Sequence, residues 1–153
     1  MKCFIYSSTA EIGFSSTELE ILLNRSASKN AEVGITGCLF FRDGTFLQYV
    51  EGEPEAIDQL MQNLQKDHRH QINFTHITNI DHRRFPDWHM QWVTPEDLGQ
   101  LNLEQLLLIY LRTLSAADDP ERFRRLEDGA WRMIEALADN RMNYNEIHQN
   151  AAS

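Results

Sequence analysis

ITGCLFFRDGTFLQYVEG, residues 35–52, decides the fold. Two runs of apolar, aromatic and β-branched residues, 35–42 and 45–51, flank Asp43-Gly44. Both residues tolerate positive φ in a tight turn, so the segment reads as a β-hairpin. Gly52 is expected to break its second strand. Pro54 then suits the first turn of a helix running to about Asp67, with Ile57, Leu60, Met61 and Leu64 as its buried stripe. Upstream, Gly34 is a stop for a helix over 16–30. In that helix Ser15 and Glu18 have capping-box spacing, and Leu19, Leu22, Leu23 and Ser26 recur on one face. Residues 2–8 (KCFIYSS), 72–80 (INFTHITNI) and 88–93 (WHMQWV) supply a first, a fourth and a fifth strand. The order β-α-β-β-α-β-β predicts an α+β, ferredoxin-like sandwich: a five-stranded sheet with two helices on one face.

The chain changes character at Thr94. Residues 100–115 hold Leu101, Leu103, Leu106, Leu107, Leu108, Ile109, Leu111 and Leu114, apolar over more than one stripe. A helix of that kind must be covered on several sides. Asp119-Pro120 opens a second helix with Phe123, Leu126, Ala130, Met133 and Leu137 at three- and four-residue steps. Residues 94–153 are therefore expected to form a C-terminal helical hairpin packed on the sheet or on a second subunit, with a frayed tail at NAAS.

Composition narrows the function. The net charge of −9 disfavours nucleic acid, whose binders draw on cations meeting phosphates. Arg122, Arg124 and Arg125 cluster, but beside Glu121, Glu127 and Asp128 they read as a solvated helix face. Cys3 and Cys38 are too few for a disulfide framework and are expected to be buried free thiols. No signal peptide or bilayer-length apolar run is apparent, so no membrane is expected and the cytoplasm is the default. The six histidines match no zinc spacing, and no metal is expected. No nucleotide loop or nucleophile motif appears, and Glu51 with Glu53 makes no acid pair that can be placed.

Two mid-strand polar residues stand out. Gln48 shares a face with Phe46 and Val50, and Tyr6 lies mid-strand near the N-terminus. A buried amide or phenol without a partner costs roughly 1–3 kcal/mol, so each should meet a polar group. That group is either a ligand or the other member of the pair, within an ordinary core. Ser26 leaves a gap on the first helix, which room for a planar ligand would explain. Asn30 ends that helix, where Asn is common. Asp67-His68-Arg69-His70 closes the second helix with cations near its negative end.

Together the motifs resemble the BLUF family, the sensors of blue light using FAD. They are F-I-Y-S-S at Phe4–Ser8, N-x-x-x-G-I-T-G-x-L at Asn30–Leu39 and G-x-F-L-Q-x-x-E-G at Gly44–Gly52. D-x-R-H at Asp67–His70 and R-R-F-x-x-W-x-M at Arg83–Met90 complete the set. The resemblance covers about residues 1–93. It implies a flavin-binding photosensor domain there, with 94–153 as an extension for packing, oligomerisation or signal output. It implies FAD as cofactor, with FMN or riboflavin as alternatives. Tyr6 resembles the electron donor, Gln48 the amide bridging that phenol to the ring, and Asn30 the residue bonding the ring's pyrimidine end. Asp67, Arg69 and His70 resemble the polar set at the pocket mouth. Ser26 and Lys29 occupy pocket-lining helix positions. Met90 resembles the methionine near the glutamine, and Trp88 the neighbouring tryptophan that responds to light.

The expectation is thus a photoreceptor and no enzyme, a homo-oligomer that signals to a separate downstream protein partner. The competing readings are a small ferredoxin-like enzyme, such as an acyl phosphate hydrolase, and a flavin-independent regulatory binding module. The first lacks the glycine-rich phosphate cradle its chemistry needs. A yellow colour in the purified protein separates the photosensor from both.

Overall fold

A computed structural model describes residues 1–11, 13–103 and 120–152, without the side chains of Pro120, Arg122, Phe123 and Leu126. These residues form two compact units, Met1–Val93 and Thr94–Ser153.

The first unit carries β1 (Lys2–Ala10), α1 (Ser16–Glu32), β2 (Thr36–Arg42), β3 (Thr45–Gly52), α2 (Pro54–Lys66), β4 (His70–Asn79) and β5 (His89–Val93). The sheet order is β4-β1-β3-β2-β5, with β2 and β5 parallel and every other pair antiparallel. Asp43 and Gly44 take φ of 50° and 79°, the positive pair the tight turn requires. The Ser15–Glu18 capping box forms in both directions, and Gly34 takes φ 69° just past α1. Leu19 and Leu23 of α1 and Ile57 of α2 pack into one core with Phe4, Tyr6, Leu39, Phe46, Val50 and Met90 of the sheet. Both helices therefore lie on one face, as the sandwich predicts. Each large apolar side chain buried there stabilises the fold by about 1.5–3 kcal/mol.

Three local expectations need correction. Gly52 does not break β3 but pairs with Lys2, because a strand held on both sides tolerates a terminal glycine. The segment Asp67–His70 is not all helix end: α2 stops at Lys66 and His70 opens β4, two residues earlier than the sequence suggests. Asn30 lies in the last turn of α1 rather than at its end. Cys3 and Cys38 are buried free thiols, and burial pushes the Cys3 pKa up to about 11.

The second unit begins with α3 (Pro95–Gln100), which the sequence reading missed, capped by reciprocal bonds between Thr94 and Asp97. The helix expected over 100–115 does not begin at residue 100. Leu101 caps α3 and Asn102 takes φ 58°. From residue 104 to 119 that expectation lies outside the described residues. Helices α4 (Pro120–Asp139) and α5 (Arg141–Ala151) follow, so Asn150 and Ala151 are helical rather than frayed. Ala130, Met133 and Leu137 of the expected stripe are buried. Asp97 accepts from His148 Nε2 at 3.0 Å and from Tyr144 OH at 3.4 Å, tying α5 to α3. No described helix is long and apolar enough to cross a membrane.

Candidate functional site

Tyr6 and Gln48 face each other across the β1·β3 ladder, in the middle of the sheet. Alternation sends both toward the helices, since Phe4, Phe46 and Val50 share that face. Both are almost fully buried, at 5% and 6% exposure. The Tyr6 hydroxyl donates to Gln48 Oε1. The amide's other end, Nε2, donates to Met90 Sδ at 2.8 Å. One carboxamide is thus spanned by a strong donor and a soft, weak acceptor. Burial pushes the Tyr6 phenol well above its ordinary pKa, and the Asp67 charge adds to this, so it is held protonated.

This pair opens on a cavity of about 170 Å³ between the sheet and the two helices. Its walls are apolar, from Phe14, Leu22, Leu23, Leu39, Phe46 and Leu64. Its polar groups come from Tyr6, Ser8, Ser26, Gln48, Asp67, Arg69 and His70. Arg69 is exposed at the rim. Its guanidinium donates to both oxygens of Asp67, and those bonds hold the Asp67 pKa down to about 2. His70 places Nδ1 2.9 Å from Ser8 Oγ, while its buried Nε2 has no hydrogen-bond partner.

Seven residues singled out from the sequence therefore meet at one cavity: Tyr6, Ser26, Gln48, Asp67, Arg69, His70 and Met90. Three do not. Lys29 is exposed and outside the lining. Asn30 is buried, yet it lies outside the lining, and its carbonyl accepts from Ile35 N at 2.8 Å to close the turn after α1. Trp88 stacks on Phe85 with centroids 5.0 Å apart, and Phe85 meets Tyr49 on the opposite side of the sheet from Gln48. Ser8 was missed. Period-two alternation from Tyr6 points straight to it, but serine by itself gave no signal.

The donor set fits a flavin. The apolar walls suit a planar ring, while the Gln48 amide and the orphaned His70 nitrogen suit ring heteroatoms and carbonyls. A buried, unpaired polar atom of the latter kind costs about 1–3 kcal/mol until something meets it. Tyr6, Gln48, Ser26 and His70 would hold the ring, and Arg69 with Asp67 would meet what leaves at the rim.

The model of the family described as sensors of blue light using FAD matches residues 1–91. A photoactivated adenylate cyclase subunit beta of Euglena longa is 30% identical over 96 residues, covering 61% of this chain. Its Euglena gracilis counterpart matches equally, and this chain spans only 11% of either. The dark-state structure of BlrB, a BLUF protein, superposes with a TM-score of 0.65 at 27% identity, covering 91% of this chain and 96% of that one. Klebsiella pneumoniae BlrP1, solved with FMN and cyclic diGMP, gives 0.56 at 31% identity, covering 62% and 26%. The match over residues 1–91 takes in every element from β1 through most of β5, cavity included, and the chain belongs to the BLUF family, the sensors of blue light using FAD.

Proposed function

We propose that residues 1–93 act as a blue-light sensor in which Tyr6 and Gln48 are the responsive pair, without catalysis of their own. The observation that carries this reading is the buried relay Tyr6 OH to Gln48 Oε1 and Gln48 Nε2 to Met90 Sδ, at the cavity wall. When bound, the flavin supplies absorption of blue light and an excited state that draws an electron.

Tyr6 is built to yield that electron, because its hydroxyl proton already rests against the Gln48 oxygen. Proton and electron leave the phenol together, which spares a buried radical cation. Gln48 receives the proton at Oε1 as Nε2 gives up one of its two protons toward the destination of the electron, so the side chain stays neutral in its imidic form and the carbonyl acceptor that held the phenol is lost. The amide is anchored at its far end only by a thioether, so rotation there sacrifices a weak bond. When electron and proton return, Tyr6 is a neutral phenol again, while the amide presents a different edge to the cavity. A changed hydrogen bond on the cavity side shifts absorption without breaking a covalent bond.

Met90 carries the change outward, since its thioether is the group the rotated amide releases. The strand β5 that bears it runs into Thr94 and α3. On this reading residues 94–153 alter their packing and present the signal to a partner protein. Two relatives are named as subunits of a photoactivated adenylate cyclase, which supports coupling of light to an output. Homo-oligomerisation through the extension belongs to the same proposal.

An absorption spectrum of the purified protein before and after blue illumination tests it. The expected result is a yellow protein whose flavin bands move reversibly to longer wavelength. A colourless protein, or bands unmoved by light, refutes the reading.

A further inference from the structure

The opposite face of the sheet holds a carboxylate that the photochemical account leaves unused. Glu51 is fully buried, with no exposed surface. Four donors satisfy it. Oε1 accepts from Phe85 N at 2.7 Å and from Thr36 Oγ1 at 3.2 Å, and Oε2 from Arg84 N and from Tyr49 OH, both at 2.8 Å. The Arg83 guanidinium completes the clamp, donating to Thr36 Oγ1 at 2.8 Å, Gly34 O at 2.7 Å and Glu51 O at 3.2 Å. A charge this deep is retained only where its bonds are complete, and here two of them fix consecutive backbone amides of the segment before β5.

That segment leads directly to the relay. Phe85 is buried against Tyr49 and stacked on Trp88, and the Trp88 carbonyl accepts from Gly37 N at 2.7 Å. Two residues on, Met90 takes φ 79°, a left-handed conformation that a side-chain-bearing residue holds only when its surroundings impose it. The same conformation turns its thioether to Gln48 Nε2.

We infer that Glu51 is a positioning residue for the light response: by gripping Arg84 and Phe85 it sets the path into β5 that delivers Met90 to the Gln48 amide. The inference rests on the sensor reading above. A merely structural Glu51 would lower stability without coupling to Met90. A positioning Glu51 acts through Met90, so its removal changes nothing further once the thioether is gone.

The experiment compares Glu51→Gln, Met90→Leu and the double variant in the flavin-loaded full chain. Glutamine keeps the size but puts an N–H where backbone donors need an acceptor. Two readouts are taken: the Met90 methyl resonance in the dark, assigned by its loss in Met90→Leu, and the rate of dark recovery after illumination. Glu51→Gln is expected to move the Met90 methyl resonance. It should also change recovery by about fivefold or more, the scale set by one lost hydrogen bond. In the double variant recovery should match Met90→Leu alone. Additive effects on recovery, or a Met90 methyl that stays in place, overturn the inference. If Glu51→Gln does not fold, Tyr49→Phe makes the same comparison, since it removes one donor to Oε2 and keeps the ring on Phe85. If the parent protein shows no light response, the sensor reading fails. The methyl resonance then still decides whether Glu51 positions Met90.

Discussion

Replacing Gly37 by alanine should cost far more than a methyl group ordinarily does. Gly37 takes φ 153°, and a Cβ built there lies 2.0 Å from Tyr49 O, 2.9 Å from Tyr49 C and 3.0 Å from Val50 Cα. All three are backbone atoms of β3, the strand that carries Gln48, so no side chain can swing away. Relief requires β2 and β3 to part by roughly 1 Å, enough to break well-formed ladder bonds. Holding a non-glycine residue in this backbone region costs about 1–3 kcal/mol. Two weakened hydrogen bonds of the β2·β3 ladder add about 0.5–1.5 kcal/mol each. The sum, roughly 2–6 kcal/mol, is a large part of the 5–15 kcal/mol that ordinarily holds a domain folded. In urea the midpoint should fall by at least about 0.7 M. Gly13→Ala is the control, because nothing lies within 4 Å of its Cβ. A Gly37→Ala midpoint within about 0.3 M of the parent would show that β2 and β3 are not packed this closely.

Three other outcomes follow from the site. Tyr6→Phe and Gln48→Leu should each retain flavin, since the apolar walls are untouched, yet lose the reversible spectral shift; a normal difference spectrum in both would dissociate the pair from the response. The depressed Asp67 pKa makes its pairing with Arg69 a stabilising term above the ordinary carboxylate value of 3.8, lost as pH falls toward about 2. The stability gap between parent and Asp67→Asn, read from urea midpoints, should therefore close across that window and stay constant above it. For Tyr6 and Tyr49 the sign reverses, because burial raises both phenols well above the ordinary 10. Unfolded phenols ionise first, so stability is intact below pH 10 and falls above it. Phenolate absorbance from these two residues should rise only with unfolding, and a separate, earlier titration of either would contradict their burial.

Much of this was legible in the sequence because local and tertiary signals agreed. The Asp43-Gly44 turn, the Ser15–Glu18 box and period-two alternation in β1 and β3 each have one good structural solution. Alternation also sufficed to put Tyr6 and Gln48 on the helix side, but not to pair them. That needed the antiparallel register, which follows from the sheet order β4-β1-β3-β2-β5 and is not a local property. Glu51 was passed over for a related reason. In sequence it is a strand carboxylate beside a glycine, and its four donors come from residues 36, 49, 84 and 85, which only the folded sheet assembles. Helix α3 was missed because its six residues are too few to show a helical period, although Thr94, Pro95 and Asp97 are the cap that marks it.

Trp88 and Met90 mark where alternation fails. Two residues apart in an extended segment, they should point to one face, and the resemblance to the family implies that both lie near the glutamine. Here they part, Trp88 toward Phe85, Met90 toward Gln48. The left-handed φ at Met90, and the register shift between Gly37 and Cys38 opposite β5, break the parity. A side-chain-bearing residue keeps such a costly conformation only where the contacts around it outweigh the cost. The Gln48 bond to Met90 Sδ is among the contacts that favour the present one. On the proposed reading, rotation of the amide removes that contact, and β5, with its one strained residue at Met90, is where the loss would register.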